Sequence, residues 1–127
     1  MLPEIESVLV QRHPKIFSVE LSDSTRPATP WGIQCHDGWF NILDTLCSCI
    51  QQYVDNNKKE QVTAREIKEK FGELRFYYDN GDEHIRGMVD LAETWSLRAC
   101  EVCGEIGVRK KTKNGWVITR CDRHAIG

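Results

Sequence analysis

The sequence lacks any stretch that approaches the roughly 18 consecutive apolar residues needed to span a bilayer. Its first residues lack a basic segment followed by an apolar run, so no secretion signal is indicated. A glycine-rich phosphate loop and an HExxH motif are also missing. We therefore expect a cytoplasmic protein that does not contact membranes. In a reducing compartment, its six cysteines are expected to be metal ligands or buried thiols rather than disulfides.

The length and composition favour one small α+β domain. With 127 residues, 40% hydrophobic residues and four tryptophans, the chain can bury a core. We predict a body over residues 1–98, with a long loop at 13–36, and a C-terminal module over residues 99–127 packed on it. The body should contain a few helices around a small antiparallel sheet.

The formal net charge of −2 hides an asymmetry between these two parts. Residues 1–97 contain 10 Lys/Arg and 16 Asp/Glu, whereas residues 98–127 contain 7 and 3, so the balances are −6 and +4. Many of the basic side chains of the module fall close together, at Arg109, Lys110, Lys111 and Lys113. Such a cluster could attract phosphates, although a lysine-rich hairpin tip is often only a solvated surface.

Four residues of the module form the pattern C-x2-C-x17-C-x2-H: Cys100, Cys103, Cys121 and His124. Thiolates and neutral imidazoles are the ligands that Zn²⁺ prefers, and four of them complete a tetrahedral structural site. Catalytic zinc sites usually keep one position open, so a structural Zn²⁺ is the favoured cofactor.

The segment between the two ligand pairs is long enough for a hairpin. Asn114-Gly115 is a hairpin-turn signal, with Val108 before it and Trp116 to Thr119 after it. Gly104 suits a knuckle that needs a positive φ. We expect a zinc-ribbon or treble-clef-like module, and the six residues after Cys121 favour a ribbon-like form because they leave little room for a helix.

Hydrophobic periodicity predicts three helices in the body, over about residues 3–12, 37–55 and 82–97. Asp37 is the predicted N-cap of the second, which should be central. Within it, Cys47 and Cys49 point about 200° apart and are expected to be buried thiols rather than paired ligands.

Residues 63–78 give a mixed signal. Thr63 and Glu66 form a capping box and Gly72 suits a helix C-terminus, which predicts a helix over about 64–71. A strand over residues 61–68 remains an alternative. Residues 74–78 alternate apolar and polar side chains and predict a half-buried strand.

Three positions in the body are candidate partner-binding residues. Arg75 and Tyr77 share the outward face of the predicted strand, as on a protein-binding surface or a base-stacking platform. Trp31 lies in the long loop and offers an aromatic anchor, although it could equally close over the core. Outward strand residues are usually polar for solubility alone.

Further groups carry the residue types of catalytic or metal sites without complete motifs. Cys35, His36 and Asp37 could supply a thiol-based catalyst, but neighbours in sequence rarely face each other. Cys35 and His36 could also form a second metal site with His84 or His13. Acidic side chains could hold Mg²⁺ for nucleic-acid cleavage, although turn and capping chemistry explains most of them: Asp79, Asp82, Glu83 and Asp90.

Six short segments carry a resemblance to known proteins. They are DGW at 37–39, KEKFG at 68–72, LRFYY at 74–78, CEVCG at 100–104, GW at 115–116 and CDRH at 121–124. In combination they resemble a group of small proteins encoded in phage and prophage genomes, over about residues 14–124. The resemblance implies zinc at the four ligands and a bacterial cytoplasmic setting, but no reaction, since the group has no established activity.

Two functions from different classes follow as hypotheses. The first is a binding protein that engages a host protein and inhibits a host defence system. The second is a nucleic-acid-binding regulator that uses the basic hairpin. A metal-dependent nuclease is a more distant third, because no complete catalytic constellation is visible.

Overall fold

The computed structural model describes residues 1–18 and 31–126. These residues form an α+β fold with three α-helices and two separate two-stranded antiparallel sheets. The elements are α1 (Pro3–Arg12), α2 (Phe40–Asn57), β1 (Thr63–Lys70), β2 (Glu73–Asp79), α3 (Glu83–Ser96), β3 (Val108–Lys111) and β4 (Val117–Arg120). Short 3-10 helices span Asp37–Trp39 and Asp122–His124. In the described part of the chain, no helix is both long and apolar enough to cross a bilayer.

Helix α2 is the centre of the core, as its wide apolar face predicts. Leu43, Cys47 and Ile50 on this helix are fully buried, and α1, α3 and the β1–β2 sheet surround it. Cys47 is buried as expected, whereas Cys49 is exposed. Because residues two apart on a helix point in nearly opposite directions, the two thiols could not share one environment.

The predicted N-cap role of Asp37 is wrong. Asp37 begins a 3-10 turn that precedes α2, and its carboxylate Oδ1 accepts a hydrogen bond from the backbone N–H of Leu2 at 2.9 Å. The side chain therefore fixes the start of α1 against this turn rather than capping its own helix.

The predicted helix over residues 64–71 is also wrong, and the alternative of a strand is correct. Residues Thr63–Lys70 form β1, which pairs with β2 across a tight turn at Phe71 and Gly72. Both turn residues have positive φ, 53° and 78°, as in the two-residue turns that connect twisted strands. Gly72 thus closes a hairpin rather than a helix.

Both edges of the β1–β2 sheet are covered. Gln34 forms a short parallel bridge with β1, and its backbone N–H donates to the Ile67 carbonyl at 2.9 Å. On β2, the N–H of Leu74 donates to Ser96 Oγ at 2.9 Å and that of Phe76 to Glu93 Oε2 at 3.0 Å. Side chains of α3 therefore satisfy the outer edge of this two-stranded sheet.

The long N-terminal loop is only partly described, because residues 19–30 lie outside the described ranges. Before the gap, Ile16 and Phe17 are buried in the core, and the Ile16 carbonyl accepts a hydrogen bond from the Ala64 N–H at 2.8 Å. After the gap, Ile33 and Cys35 are buried beside α2. Both described ends of the loop belong to the body.

Candidate metal centre

The first ligand pair lies on a tight knuckle. The N–H of Gly104 donates to the Cys100 carbonyl at 2.8 Å, and the N–H of Cys100 donates to the Glu105 carbonyl at 2.7 Å. Gly104 has a φ of 84°, as the sequence predicts. A β carbon at Gly104 would lie 3.0 Å from the Gly38 carbonyl oxygen, so the knuckle also needs glycine to approach the body closely.

A hairpin of β3 and β4 follows, in register from Val108 opposite Arg120 to Lys111 opposite Val117. Its turn is longer than a two-residue Asn-Gly turn. The N–H of Thr112 donates to the Trp116 carbonyl at 2.7 Å, and the N–H of Gly115 donates to the Thr112 carbonyl at 3.0 Å. Gly115 has a φ of 86°, so glycine takes the left-handed position of a three-residue loop.

The second ligand pair follows β4 directly. Residues Asp122–His124 form a single 3-10 turn, in which the N–H of His124 donates to the Cys121 carbonyl at 3.1 Å. This turn directs Cys121 and His124 back toward the first knuckle. No α-helix follows Cys121 up to residue 126, so the module has the ribbon-like rather than the treble-clef form.

The four predicted ligands converge on one point. Their ligating atoms all lie within 4.8 Å of one another, and this is the one such group of His, Cys, Asp and Glu side chains within residues 1–18 and 31–126. Two distances of 3.7 Å join Cys103 Sγ to Cys121 Sγ and Cys100 Sγ to His124 Nδ1. The Cys121 Sγ to His124 Nδ1 distance is 3.3 Å. In a tetrahedral site with metal–sulfur bonds of about 2.3 Å, any two ligand sulfur atoms lie about 3.8 Å apart. The observed spacing of the ligand atoms therefore fits a metal site.

The local electrostatics also favour a cation. Burial alone would raise the pKa of the Cys100 thiol. Backbone N–H groups of Cys121, Cys103 and Val102 donate to its Sγ, outweigh the burial and lower the pKa to about 6. For Cys103, the backbone N–H of Glu105 lowers the pKa, but desolvation and the adjacent thiols raise it overall. The Cys100 thiol thus ionises easily, whereas the Cys103 thiol beside it does not. A divalent cation between them would stabilise both as thiolates.

The module is anchored to the body through buried polar contacts. Trp39, fully buried at the start of α2, donates its Nε1–H to the Ala99 carbonyl at 2.8 Å. The N–H of Gly38 donates to the Glu101 carbonyl at 2.7 Å, and Thr119 Oγ1 donates to the Gly72 carbonyl at 2.5 Å. The metal centre is therefore tied to the core of the body.

The other candidate metal and catalytic groups do not come together. Burial raises the pKa of the Cys35 thiol to about 12, which leaves it protonated, and His36 beside it is exposed. His13 Nε2 lies 2.7 Å from Asp44 Oδ1, and His84 stacks on Tyr53 with ring centroids 4.2 Å apart. These histidines occupy three different places.

Two of the four candidate carboxylates, Asp79 and Asp82, have structural partners. Asp82 caps α3 by accepting the Ile85 N–H at 3.0 Å, and its other oxygen accepts the Tyr53 hydroxyl at 2.6 Å. Asp79 pairs with Arg65 at 3.1 Å. Capping and ion pairing therefore account for these side chains, as their positions in turns suggest.

The candidate partner-binding residues of the body differ in exposure. Arg75 and Tyr77 face outward on β2, with Arg75 Nη1 2.5 Å from Glu73 Oε1 and Lys68 Nζ 5.6 Å from the Tyr77 ring centroid. Trp31 is half-buried and meets the Phe17 ring edge-on at a centroid distance of 5.2 Å. A binding role for these residues stays a prediction.

The basic hairpin is open to solvent along its whole first strand. Every residue of β3 is exposed, which includes Arg109, Lys110 and Lys111, and Lys113 is exposed in the turn. Sequence reasoning missed Trp116, whose side chain is 71% exposed beside these lysines. The position of Trp116 directly after the Asn-Gly pair could have predicted its exposure, because residues at a hairpin turn rarely reach a core.

A scan against models of protein families finds no match, and searches of curated proteins and of solved structures find none either.

Proposed function

We propose that the C-terminal cluster holds one structural Zn²⁺ and that the hairpin built around it binds single-stranded nucleic acid. Three sulfurs and one imidazole nitrogen at tetrahedral spacing support zinc over Ca²⁺ or Mg²⁺, which prefer oxygen ligands. All four positions are filled by protein, so the ion organises the module rather than acting on a substrate.

The observation that carries the nucleic-acid proposal is an exposed tryptophan among lysines. Trp116 is 71% exposed and directly follows the turn that carries Lys113, and Lys110 and Lys111 lie on the neighbouring strand of the hairpin. Proteins that bind single strands combine cations for the phosphates with aromatic rings on which bases stack. The exposed indole ring of Trp116 is open to stacking with a base.

The charge distribution supports binding through this face alone. The module has a balance of +4, whereas residues 1–97 have −6. A nucleic acid would be attracted to the hairpin and repelled by the body, which limits nonspecific wrapping and makes the interaction sensitive to salt.

The test compares two charge-matched triple variants. Lys110→Ala, Lys111→Ala and Lys113→Ala together should abolish a salt-sensitive complex with single-stranded DNA or RNA oligonucleotides. The control removes three exposed cations from the body, Lys15, Lys59 and Arg86, and should bind like the wild type. Equal binding by both triple variants would refute the proposal.

A protein partner is the second candidate, and a different surface favours it. Leu91 and Trp95 lie one turn apart on α3 and are 70% and 44% exposed. Exposed apolar neighbours of this kind are typical of interaction sites. In the phage-like setting that the sequence suggests, the partner would be a host protein, including one that acts in defence.

The two candidates can be separated with one pair of variants. If the host-protein proposal is right, Leu91→Ala with Trp95→Ala should lose a stoichiometric partner in affinity capture from bacterial lysate, and the lysine triple variant should keep it. If the nucleic-acid proposal is right, the lysine triple variant should lose oligonucleotide binding, and Leu91→Ala with Trp95→Ala should keep it. A partner that both variants retain would exclude the α3 surface.

A further inference from the structure

A cavity of about 620 Å³ separates the hairpin from the body. Trp116, Ile118 and Arg120 line it on the hairpin side, and Glu101 lines it from the knuckle between Cys100 and Cys103. The body side is lined by Met1, Gln34, Cys35, His36 and Glu69. Its volume falls within the range of roughly 300–1,000 Å³ that is typical of small-molecule sites. The lining thus combines an exposed indole ring, apolar side chains and charged groups of both signs.

Two carboxylates that line the cavity, Glu69 of the body and Glu101 of the knuckle, each keep an oxygen for a ligand. Glu101 is only 5% exposed, and its Oε2 accepts the His36 N–H at 3.1 Å. Glu69 Oε2 accepts the Gly72 N–H at 2.7 Å. Within the described residues no donor reaches the Oε1 atom of either side chain, and a carboxylate can accept several hydrogen bonds.

A single donor on the hairpin side has no partner. The Nε–H of Arg120 is buried and makes no hydrogen bond with the described residues. Leaving such a donor unpaired in the folded protein is unfavourable. Among the described side chains Arg120 forms no ion pair with Glu101 or Glu69, although its charge partly offsets the rise that burial causes in the pKa of the Glu101 carboxyl.

These groups together define the chemistry of a ligand. A simple anion would be repelled by the two carboxylates, and a simple cation would leave the Arg120 Nε–H unpaired. A ligand that satisfies both sides must present N–H donors and a neighbouring acceptor on one flat ring that can stack on Trp116. Guanine has this arrangement, with two adjacent donor groups (N1–H and N2–H₂) and the O6 and N7 acceptors that arginine commonly binds.

We propose that the cavity takes one guanine base of a single-stranded nucleic acid. The base stacks on Trp116, donates from its N1 and N2 groups to the Glu101 carboxylate and accepts from Arg120. Lys110 stands opposite Ile118 in the β3–β4 register, so a cation lies beside the cavity for the phosphate of the same nucleotide. The inference rests on the proposed function, to which it adds a base preference.

Isothermal titration with GMP, AMP, CMP and UMP tests the preference directly. GMP should bind at least about fivefold more tightly than each of the others, the lower end expected of one bidentate base contact. Trp116→Ala should weaken binding of every nucleotide, whereas Glu101→Gln should remove the preference for GMP because an amide offers only one acceptor. Equal affinity for all four nucleotides, or a preference for CMP, would overturn the inference.

Controls separate loss of the pocket from loss of the fold. Ile106→Ala removes an apolar side chain that is 87% exposed on the same module but does not line the cavity, and it should bind GMP like the wild type. Because Glu101 follows a metal ligand, the zinc content of Glu101→Gln must be measured. If that variant loses zinc, Glu69→Gln and Trp116→Ala test instead whether GMP binds in the cavity. Unchanged GMP binding by both variants would overturn the inference.

The experiment also distinguishes the inference from the proposed function. Oligonucleotide binding that depends on the three lysines but shows no preference for guanine would refute the pocket and leave the function in place. GMP binding that Trp116→Ala weakens, without binding of any oligonucleotide, would refute the function and leave the pocket in place.

Discussion

Removal of one exposed side chain of the Cys/His cluster should destabilise the whole protein, although it removes almost no packing. Cys103 is exposed, so Cys103→Ala creates no cavity and loses little apolar burial. For an ordinary exposed side chain the expected change in the free energy of unfolding lies within about ±0.5 kcal/mol. Any larger loss must come from the metal, because binding and folding are coupled in small zinc modules.

The expected magnitude follows from the contacts between module and body. Several hydrogen bonds join the two parts. One of them, from Arg109 Nε to Phe71 O, is exposed and is expected to contribute little. Four others connect residues far apart in sequence away from the exposed surface of β3: Trp39 Nε1 to Ala99 O, Gly38 N to Glu101 O, His36 N to Glu101 Oε2 and Thr119 Oγ1 to Gly72 O. At about 1 kcal/mol each, disorder of residues 99–126 would cost about 4 kcal/mol of stability in the body. The midpoint of thermal unfolding should then fall by about 10 °C or more.

The assay is thermal unfolding with parallel elemental analysis, and Cys49→Ala is its control. Cys49 is the other exposed cysteine, on α2 and outside the cluster. We expect about one zinc per chain in the wild type and in Cys49→Ala, with similar midpoints, and a zinc-free Cys103→Ala with a much lower one. Chelation with EDTA should lower the midpoint of the wild type as well. If Cys103→Ala contains no zinc and yet unfolds at the same midpoint as the wild type, a structural role for the metal is refuted.

Two further substitutions test the fold. Ile67→Ala should cost about 2–5 kcal/mol in denaturant unfolding, because Ile67 is fully buried on β1, and a cost below about 1 kcal/mol would contradict that placement. Gly104→Ala should destabilise the protein and weaken zinc binding in a chelator competition, since φ is 84° and the new methyl group would lie 3.0 Å from the Gly38 carbonyl. Gly87→Ala on α3 is its control and should be neutral or stabilising by up to about 1 kcal/mol, because the added methyl group meets nothing within 4 Å.

Local signals in the sequence were sufficient where the structure depends on local chemistry. The three helices follow the apolar periodicity, and Asp82 caps α3 as its type and position suggest. The metal cluster was also predictable, because ligand type and spacing restrict the geometry that two knuckles and a hairpin can form. The cavity beside Trp116 was not predictable, since it depends on how the hairpin docks against residues far away in sequence.

The error over β1 has a specific physical origin. Ala64 pairs with Tyr78 and Glu66 with Tyr77, so Arg65 is an extra residue that forms a β-bulge. The bulge shifts the alternation and turns Ala64 and Ile67, three residues apart, toward the core together. A strand with such a shift presents the i, i+3 spacing of a helix, and the capping box at Thr63 and Glu66 strengthened the wrong interpretation. Pairing with β2, a contact that no local pattern records, outweighs both signals.

The triplet Asp37-Gly38-Trp39 shows why the body and the module are better understood as one folding unit than as two neighbours. Sequence reasoning made Asp37 the N-cap of α2, yet each residue of the triplet makes a contact elsewhere. Asp37 holds the start of α1 through the Leu2 N–H, and Trp39 binds the Ala99 carbonyl from within the core. A β carbon at Gly38 would overlap the Cys100 carbonyl, so the knuckle rests directly on the backbone of the triplet. Because the first metal ligand thus lies against the start of the central helix, order at the metal centre and order in the core should be gained and lost together.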